Sequence, residues 1–279
     1  MTRRRDTPVL AAITWMYLAW SLLPVAIAIA GSLQVSSQPF ALGLDAYRFA
    51  LQDPDVRQAF AQSVWLALLT VVIAVPLGSA LGLALAHLGG RGWRAMRLSL
   101  LFSVAMPHAV LAVMLFYLFA FVLNVPFTTI AQLIGHVTVA LPFVTLILWT
   151  RLAFLDPTFE EQAADLGAPP RSAITRVLLP LCIPAIVVAA TVAFALSFNE
   201  IPLSRYLCIP NECRTIPVML GGRAQGEVPP PVLAISVMAT LVSVPTLAIA
   251  VLVVRGRSSR EGVSARAAAD PSEGSTGAG

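Results

Sequence analysis

The sequence predicts an all-α polytopic membrane protein of six transmembrane helices, and three observations predict it. Of its 279 residues, 58% are hydrophobic and 11% charged, against about 25% charged in an ordinary soluble domain. The few charges are segregated: residues 7–44, 58–90, 98–150, 177–199 and 228–254 contain no Asp, Glu or Arg. These runs exceed the about 20 apolar residues a helix needs to cross a bilayer, and they lack the two-residue alternation of a barrel strand.

The first span covers 9–30. Arg3, Arg4 and Arg5 ahead of an apolar run that ends in Ala28-Ile29-Ala30 resemble a cleavable signal peptide. A signal core is about 7–15 residues, however, and this run is longer, so it reads as a retained helix. Segment 31–58 carries Asp45, Asp53 and Asp55 with Tyr47 and Phe49, either as an amphipathic piece at the membrane surface or as a polar loop. The second span, 60–86, presents Gly78 and Gly82 with Ala74 and Ala86 on one face, a surface for close helix packing. A short turn with Arg91, Arg94 and Arg97 follows. Stretch 98–150 holds two spans, 98–122 and 130–151, separated by the helix-breaking Asn124-Val125-Pro126. The fifth and sixth spans are 177–199 and 231–254. Pro24, Pro76, Pro107, Pro142, Pro180 and Pro184 fall within spans, where each removes a backbone donor and favours a kink. Residues 1–257 thus form the membrane domain, and the Ser-, Gly-, Ala- and charge-rich 258–279 is expected to be a disordered tail.

All basic residues are Arg; no Lys occurs. With both termini in the cytoplasm, thirteen lie inside, and five (Arg48, Arg57, Arg205, Arg214 and Arg223) lie outside, the asymmetry that sets orientation. The pI near 9.4 therefore reflects topology and lipid headgroup contact, not nucleic-acid binding.

The long cytoplasmic loop between spans four and five, with the start of span five, reads DPTFEEQAADLGAPPRSAITRVLLPLCIPAI over 156–186. Asp156 and Pro157 suit an N-cap and first helical position, and Thr158 with Glu161 offers an alternative capping box. Glu160 and Glu161 fall in the first turn, where the helix dipole favours anions. Phe159, Ala163 and Leu166 recur on one face, and Gly167 stops the helix. After Ala168, Pro169 and Pro170 start a second helix that runs through Arg171 and Arg176 into span five. The apolar face has no bilayer to enter; it needs either a protein partner or the chain's own loops.

This stretch resembles the EAA loop of permease subunits of type I, binding-protein-dependent ABC importers (MetI-like). Glu161 matches the Glu, Gln162 and Ala163 the two Ala positions, Gly167 the Gly, and Leu179-Pro180 with Pro184 the Leu-Pro tail. Gln162 departs from the pattern without weakening the helix. The likeness covers about 59–254 and is nearest to spermidine/putrescine-type permeases. Met106-Pro107-His108, Gly135-His136-Val137-Thr138, Leu141-Pro142-Phe143 and Ser197-Phe198-Asn199-Glu200 carry it.

The resemblance implies a multi-pass protein of the bacterial inner membrane that forms the passage for a small, polyamine-like solute. Phe159, Glu160, Glu161, Gln162, Ala163, Asp165, Leu166, Gly167 and Ala168 would sit in a groove of a separate ATPase subunit that binds ATP and Mg. A second, non-identical permease and a periplasmic solute-binding protein would complete the assembly, with no cofactor in this chain. Independently, a P-loop needs a lysine to reach the phosphates, so a chain without one does not hydrolyse ATP by that route and is not expected to be an enzyme.

His108, His136, Asn199 and Glu200 are the candidates for the solute pathway, since polar groups in spans face the bundle interior or a water-filled path. For the histidines the alternative is a helix-to-helix hydrogen bond; for Glu200 it is pairing with Arg205 or solvation. Cys208 and Cys213 lie in an outside loop where the periplasm permits a disulfide, although spacing does not show that their side chains converge. Cys182 reads as a buried thiol, and no His, Cys and carboxylate cluster has metal-ligand spacing. A secondary transporter is the main rival, but no carboxylate for ion coupling lies well inside a span. HExxH, GxSxG and paired intramembrane aspartates are missing too; a channel is excluded only by a co-purifying ATPase.

Overall fold

The computed structural model describes residues 8–35, 38–209, 213–224 and 228–269. Arg3 to Arg5 and the last ten residues of the expected tail lie outside them. The chain divides into two compact units, Met1–Gln62 with Arg214–Val242, and Ser63–Cys213 with Ser243–Gly279.

In the first unit, α1 (Pro8–Ser32) is apolar all round, and its spanning window is uncovered along its whole length, as a helix that meets lipid or another subunit should be. An antiparallel ribbon, β1 (Gln34–Val35) and β2 (Gln38–Leu42), follows. It is a small departure from the all-helical expectation, in a segment where Pro39 disfavours a helix interior. Segment 45–52 is an amphipathic helix, α2 (Asp45–Gln52), that buries Ala46 and Ala50 and exposes Phe49 and Leu51. Ala50 joins Val56 and Ala59 of α3 (Pro54–His87), Ile216 and Met219 of α11 (Ile216–Arg223), and Ile235 of α12 (Pro230–Ala269) in one core. Arg223 donates to Asp53 at 2.9 Å, and the Asp55 amide donates to the same carboxylate at 2.9 Å. Partial burial pushes the Asp53 carboxyl up, but these bonds outweigh it and hold it below the usual carboxylate range.

The second unit contains the rest of α3, then α4 (Arg91–Ala105) and α5 (His108–Tyr117), which runs into a π-helical turn over Leu118–Leu123. α6 (Thr129–Ala153), α7 (Thr158–Asp165) and α8 (Pro170–Ala173) come next. A second π turn, Ile174–Leu178, leads into α9 (Leu179–Phe198), followed by α10 (Pro202–Leu207). Small residues let the long helices approach. A Cβ on Gly78 would stand 2.5 Å from Val144 Cγ1, and one on Gly82 2.9 Å from Leu148 Cβ, so α3 meets α6 along the face the sequence marks. Ala74, Ala140, Val144, Leu148, Cys182, Ala189 and Ala193 form the core there.

Among the described residues, five helices are long and apolar enough to cross a membrane: Val9–Ser32, Pro54–His87, Thr129–Ala153, Pro170–Phe198 and Pro230–Val253. The third expected span, 98–122, falls on a bent pair, Arg91–Ala105 and His108–Leu123, which turns by 105° and makes a sixth span when the two are taken as one. Pro107 has no amide to continue α4, and it drives Met106 into an extended conformation (φ −71°, ψ 130°). Asn124 then turns the chain in the left-handed region at φ 49°. At the C-terminus α12 continues to Ala269.

Candidate functional site

The loop between α6 and α9 is built by local hydrogen bonds. Asp156 Oδ1 accepts from the Thr158 amide at 3.0 Å. That bond satisfies one orphan donor at the helix start and lowers the Asp156 carboxyl below its ordinary range; the alternative capping box is not the one used. At the other end the Gly167 amide donates to the Ala164 carbonyl at 2.8 Å and the Ala168 amide to the Ala163 carbonyl at 2.9 Å. This pair of bonds is a Schellman motif, and it places Gly167 at φ 75°. Of the apolar face, Ala163 is buried, whereas Phe159 is 41% and Leu166 87% exposed. Glu161, Gln162 and Asp165 are exposed beside them. Glu160 is the exception among the loop's carboxylates: its Oε1 lies 2.8 Å from Nε2 of His87, at the end of α3.

A second polar cluster lies at the far end of α9. Glu200 is 4% exposed; its Oε2 is 2.8 Å from His108 Nδ1, and its Oε1 accepts from the Leu203 amide at 3.3 Å. Both alternatives offered for Glu200 are corrected: it is neither solvated nor paired with Arg205, because the break at Pro107 brings the first residue of α5 against the α9–α10 elbow. His136 bridges Ser197 at 2.8 Å and Ser204 at 3.0 Å, and Ser197 shares a hydrogen bond of 3.2 Å with Thr70. His136 thus makes the helix-to-helix contacts of its alternative reading. Asn199 is exposed and its Nδ2 donates to the Ala195 carbonyl at 2.9 Å. Sequence reading quoted Ser197 only as part of a motif and missed Thr70, Ser204 and His87; a hydroxyl or imidazole in an apolar helix is the only local sign of such residues, and it does not name their partners. The Cys208 and Cys213 sulfurs are in contact, with Cα atoms 6.1 Å apart, inside the range a disulfide spans, while Cys182 is a buried free thiol.

Residues 74–259 match the family model of the binding-protein-dependent transport system inner membrane component. The chain belongs to this family. It is the membrane-spanning permease of an ABC importer, a multi-pass protein of the bacterial inner membrane, and not itself the catalytic subunit. The spermidine/putrescine transport system permease protein PotC of Haemophilus influenzae is 31% identical over 150 residues, 54% of this permease and 58% of that relative. Its counterpart from Escherichia coli is 27% identical over 212 residues, 76% and 79% of the two chains. The molybdenum transport system permease protein ModB of Mycobacterium tuberculosis is 31% identical over 196 residues, 65% and 73%. Among solved structures, the bacterial ABC transporter for alginate import matches with a TM-score of 0.67 at 17% identity, covering 92% of this permease and 98% of that chain. The MetNI methionine transporter matches at 0.59 and 16% identity, covering 72% and 94%. At such identities these two speak for the fold alone.

Proposed function

We propose that this permease imports a small polyamine-like cation, driven by a separate ATPase that grips α7 and the bend at Gly167. The observation that carries the docking reading is Leu166, 87% exposed on a helix whose two ends are closed by hydrogen bonds. An apolar side chain held rigidly outside the bilayer is best placed to enter a groove on a partner. The charge asymmetry favours a cytoplasmic side for α7 and both termini, where the partner would bind ATP and Mg. A periplasmic binding protein would deliver the solute, and a second, non-identical permease would line the other half of the passage.

For the solute, the relatives divide between polyamine and molybdenum transport. Glu200 favours the cation, because a buried carboxylate attracts an ammonium group and repels an anion. His108, His136 and Asn199 accompany it along the proposed path. Affinity purification of the permease from its native membrane tests both parts. An ATPase and a binding protein that retains a polyamine should be recovered with it; a permease recovered without an ATPase would return the secondary transporter or channel to first place. Cys208 and Cys213 are proposed to form a disulfide that closes the outer loop. Non-reducing peptide mass spectrometry should find one cross-linked peptide, and two alkylatable thiols at these positions would contradict the bridge.

A further inference from the structure

The contact between His87 and Glu160 has a chemistry that can be read from its atoms. His87 Nδ1 lies 2.9 Å from the Leu83 carbonyl, which only accepts, so Nδ1 must carry a proton. Nε2 lies 2.8 Å from Glu160 Oε1. Glu160 is 42% exposed in the first turn of α7, where the helix dipole favours its anion. Its oxygen therefore accepts as well, and Nε2 must also carry a proton. With both nitrogens donating, the ring is an imidazolium, at the C-terminal end of α3 where a dipole favours a cation. Leu83 on α3 and Glu160 on α7 are the groups bonded to the ring, and Glu160 is the charged group acting on it among the described residues.

The chain joins α7 to α6 on one side and to α8 and α9 on the other, but not to α3. We infer that the charged His87–Glu160 bond is the third tether, a pH-sensitive clamp that makes α3 follow α7 when the ATPase moves it. His87 is thus a positioning residue, outside the docking surface of Phe159, Glu161 and Leu166. The inference rests on the docking reading only for what moves α7. The clamp itself exists while the imidazole is protonated, and it is lost as pH rises through the titration of His87.

The test uses spin labels on Gly89→Cys and Ala164→Cys, both at exposed positions, and reads the α3–α7 distance distribution in the purified permease with and without its ATPase. At about pH 6, below the ordinary imidazole pKa of about 6.5, wild type and His87→Lys should give one narrow distance, and His87→Gln a distribution about twice as wide. At about pH 9, where an ordinary imidazole is neutral, wild type should widen to match His87→Gln while His87→Lys stays narrow. In the assembled transporter His87→Gln should lower binding-protein-stimulated ATP hydrolysis about two- to fivefold, the population shift a half-exposed ion pair can produce. A variant as narrow as wild type at the lower pH, a wild-type width indifferent to pH, or unchanged stimulated hydrolysis would overturn the clamp. Glu160→Ala breaks the same bond from the loop side and is read identically if His87→Gln is not recovered from the membrane. Loss of ATPase co-purification from the wild type would strike the docking reading instead, and the distance measurement on the permease alone would still stand.

Discussion

Gly167→Val should cost the permease most of its ATPase while leaving the membrane protein itself in place. Gly167 sits at φ 75°, and a Cβ added there would meet nothing within 4 Å, so the penalty comes from backbone conformation and not from a clash. A side-chain-bearing residue in the left-handed region loses about 1–2 kcal/mol, and a β-branched one more. The Schellman bonds from Gly167 to Ala164 and from Ala168 to Ala163 hold Leu166 and the start of α8 in register, and they go with the bend. A deficit of this size shifts the population of the docking conformation about five- to thirtyfold. The same loss is expected of the co-purified ATPase, measured by stoichiometry after affinity capture. Gly167→Asn should retain most of the binding, because Asn tolerates this conformation. Glu161→Lys should lose it by a different route, since it reverses a charge on the exposed face and leaves the backbone alone. Normal ATPase recovery in both Gly167→Val and Glu161→Lys would mean that this loop is not the docking element.

That prediction could be framed before any coordinates, and the reason is that every signal in the loop is local. A cap residue, a first-turn carboxylate and a glycine stop act within four residues of one another, so the Asp156 cap and the Gly167 bend were readable from their neighbours. Five of the spans were legible for the same reason: an apolar run defines its own helix. The bend in the third was not, because Pro107 announces only a missing donor. Whether the helix merely kinks or turns by 105° depends on what receives α5, and that is α10, far along the chain. The ribbon at Gln34–Leu42 was missed where composition is mixed and no periodicity decides. The polar pairings lie furthest from sequence. His87 meets Glu160 at a separation of 73 residues and His108 meets Glu200 at 92, and an isolated histidine in an apolar stretch gives no hint of which carboxylate it faces.

Glu200 leads to the second large effect, because it separates a structural role from a cation-recognising one. Its carboxylate holds His108 through one oxygen and the Leu203 amide through the other. Truncating a buried member of such a pair costs about 3–5 kcal/mol, so Glu200→Ala should abolish uptake whatever Glu200 does, and by itself decides little. Glu200→Gln is the informative change. The amide oxygen can still accept from Leu203, and the side chain keeps its volume and can still bond His108, so a role confined to joining α5 to the α9–α10 elbow should survive. The negative charge does not survive. If Glu200 recognises a passing ammonium group, uptake of a polyamine by the reconstituted transporter should fall about tenfold or more, which corresponds to at least about 1.4 kcal/mol of lost attraction, with ATPase co-purification unchanged. The two functions sit beyond opposite ends of α9, whose 20 residues alone span about 30 Å, so docking and recognition should fail independently. Adding His108→Ala to Glu200→Gln extends the argument. If His108 only counterbalances Glu200 in the empty passage, its removal should cost less in the Gln background than alone, a coupling that appears in a double-mutant cycle as non-additivity of about 0.5–3 kcal/mol. Glu200→Gln that transports polyamine at the wild-type rate would assign the carboxylate to architecture and leave cation selectivity to the binding protein.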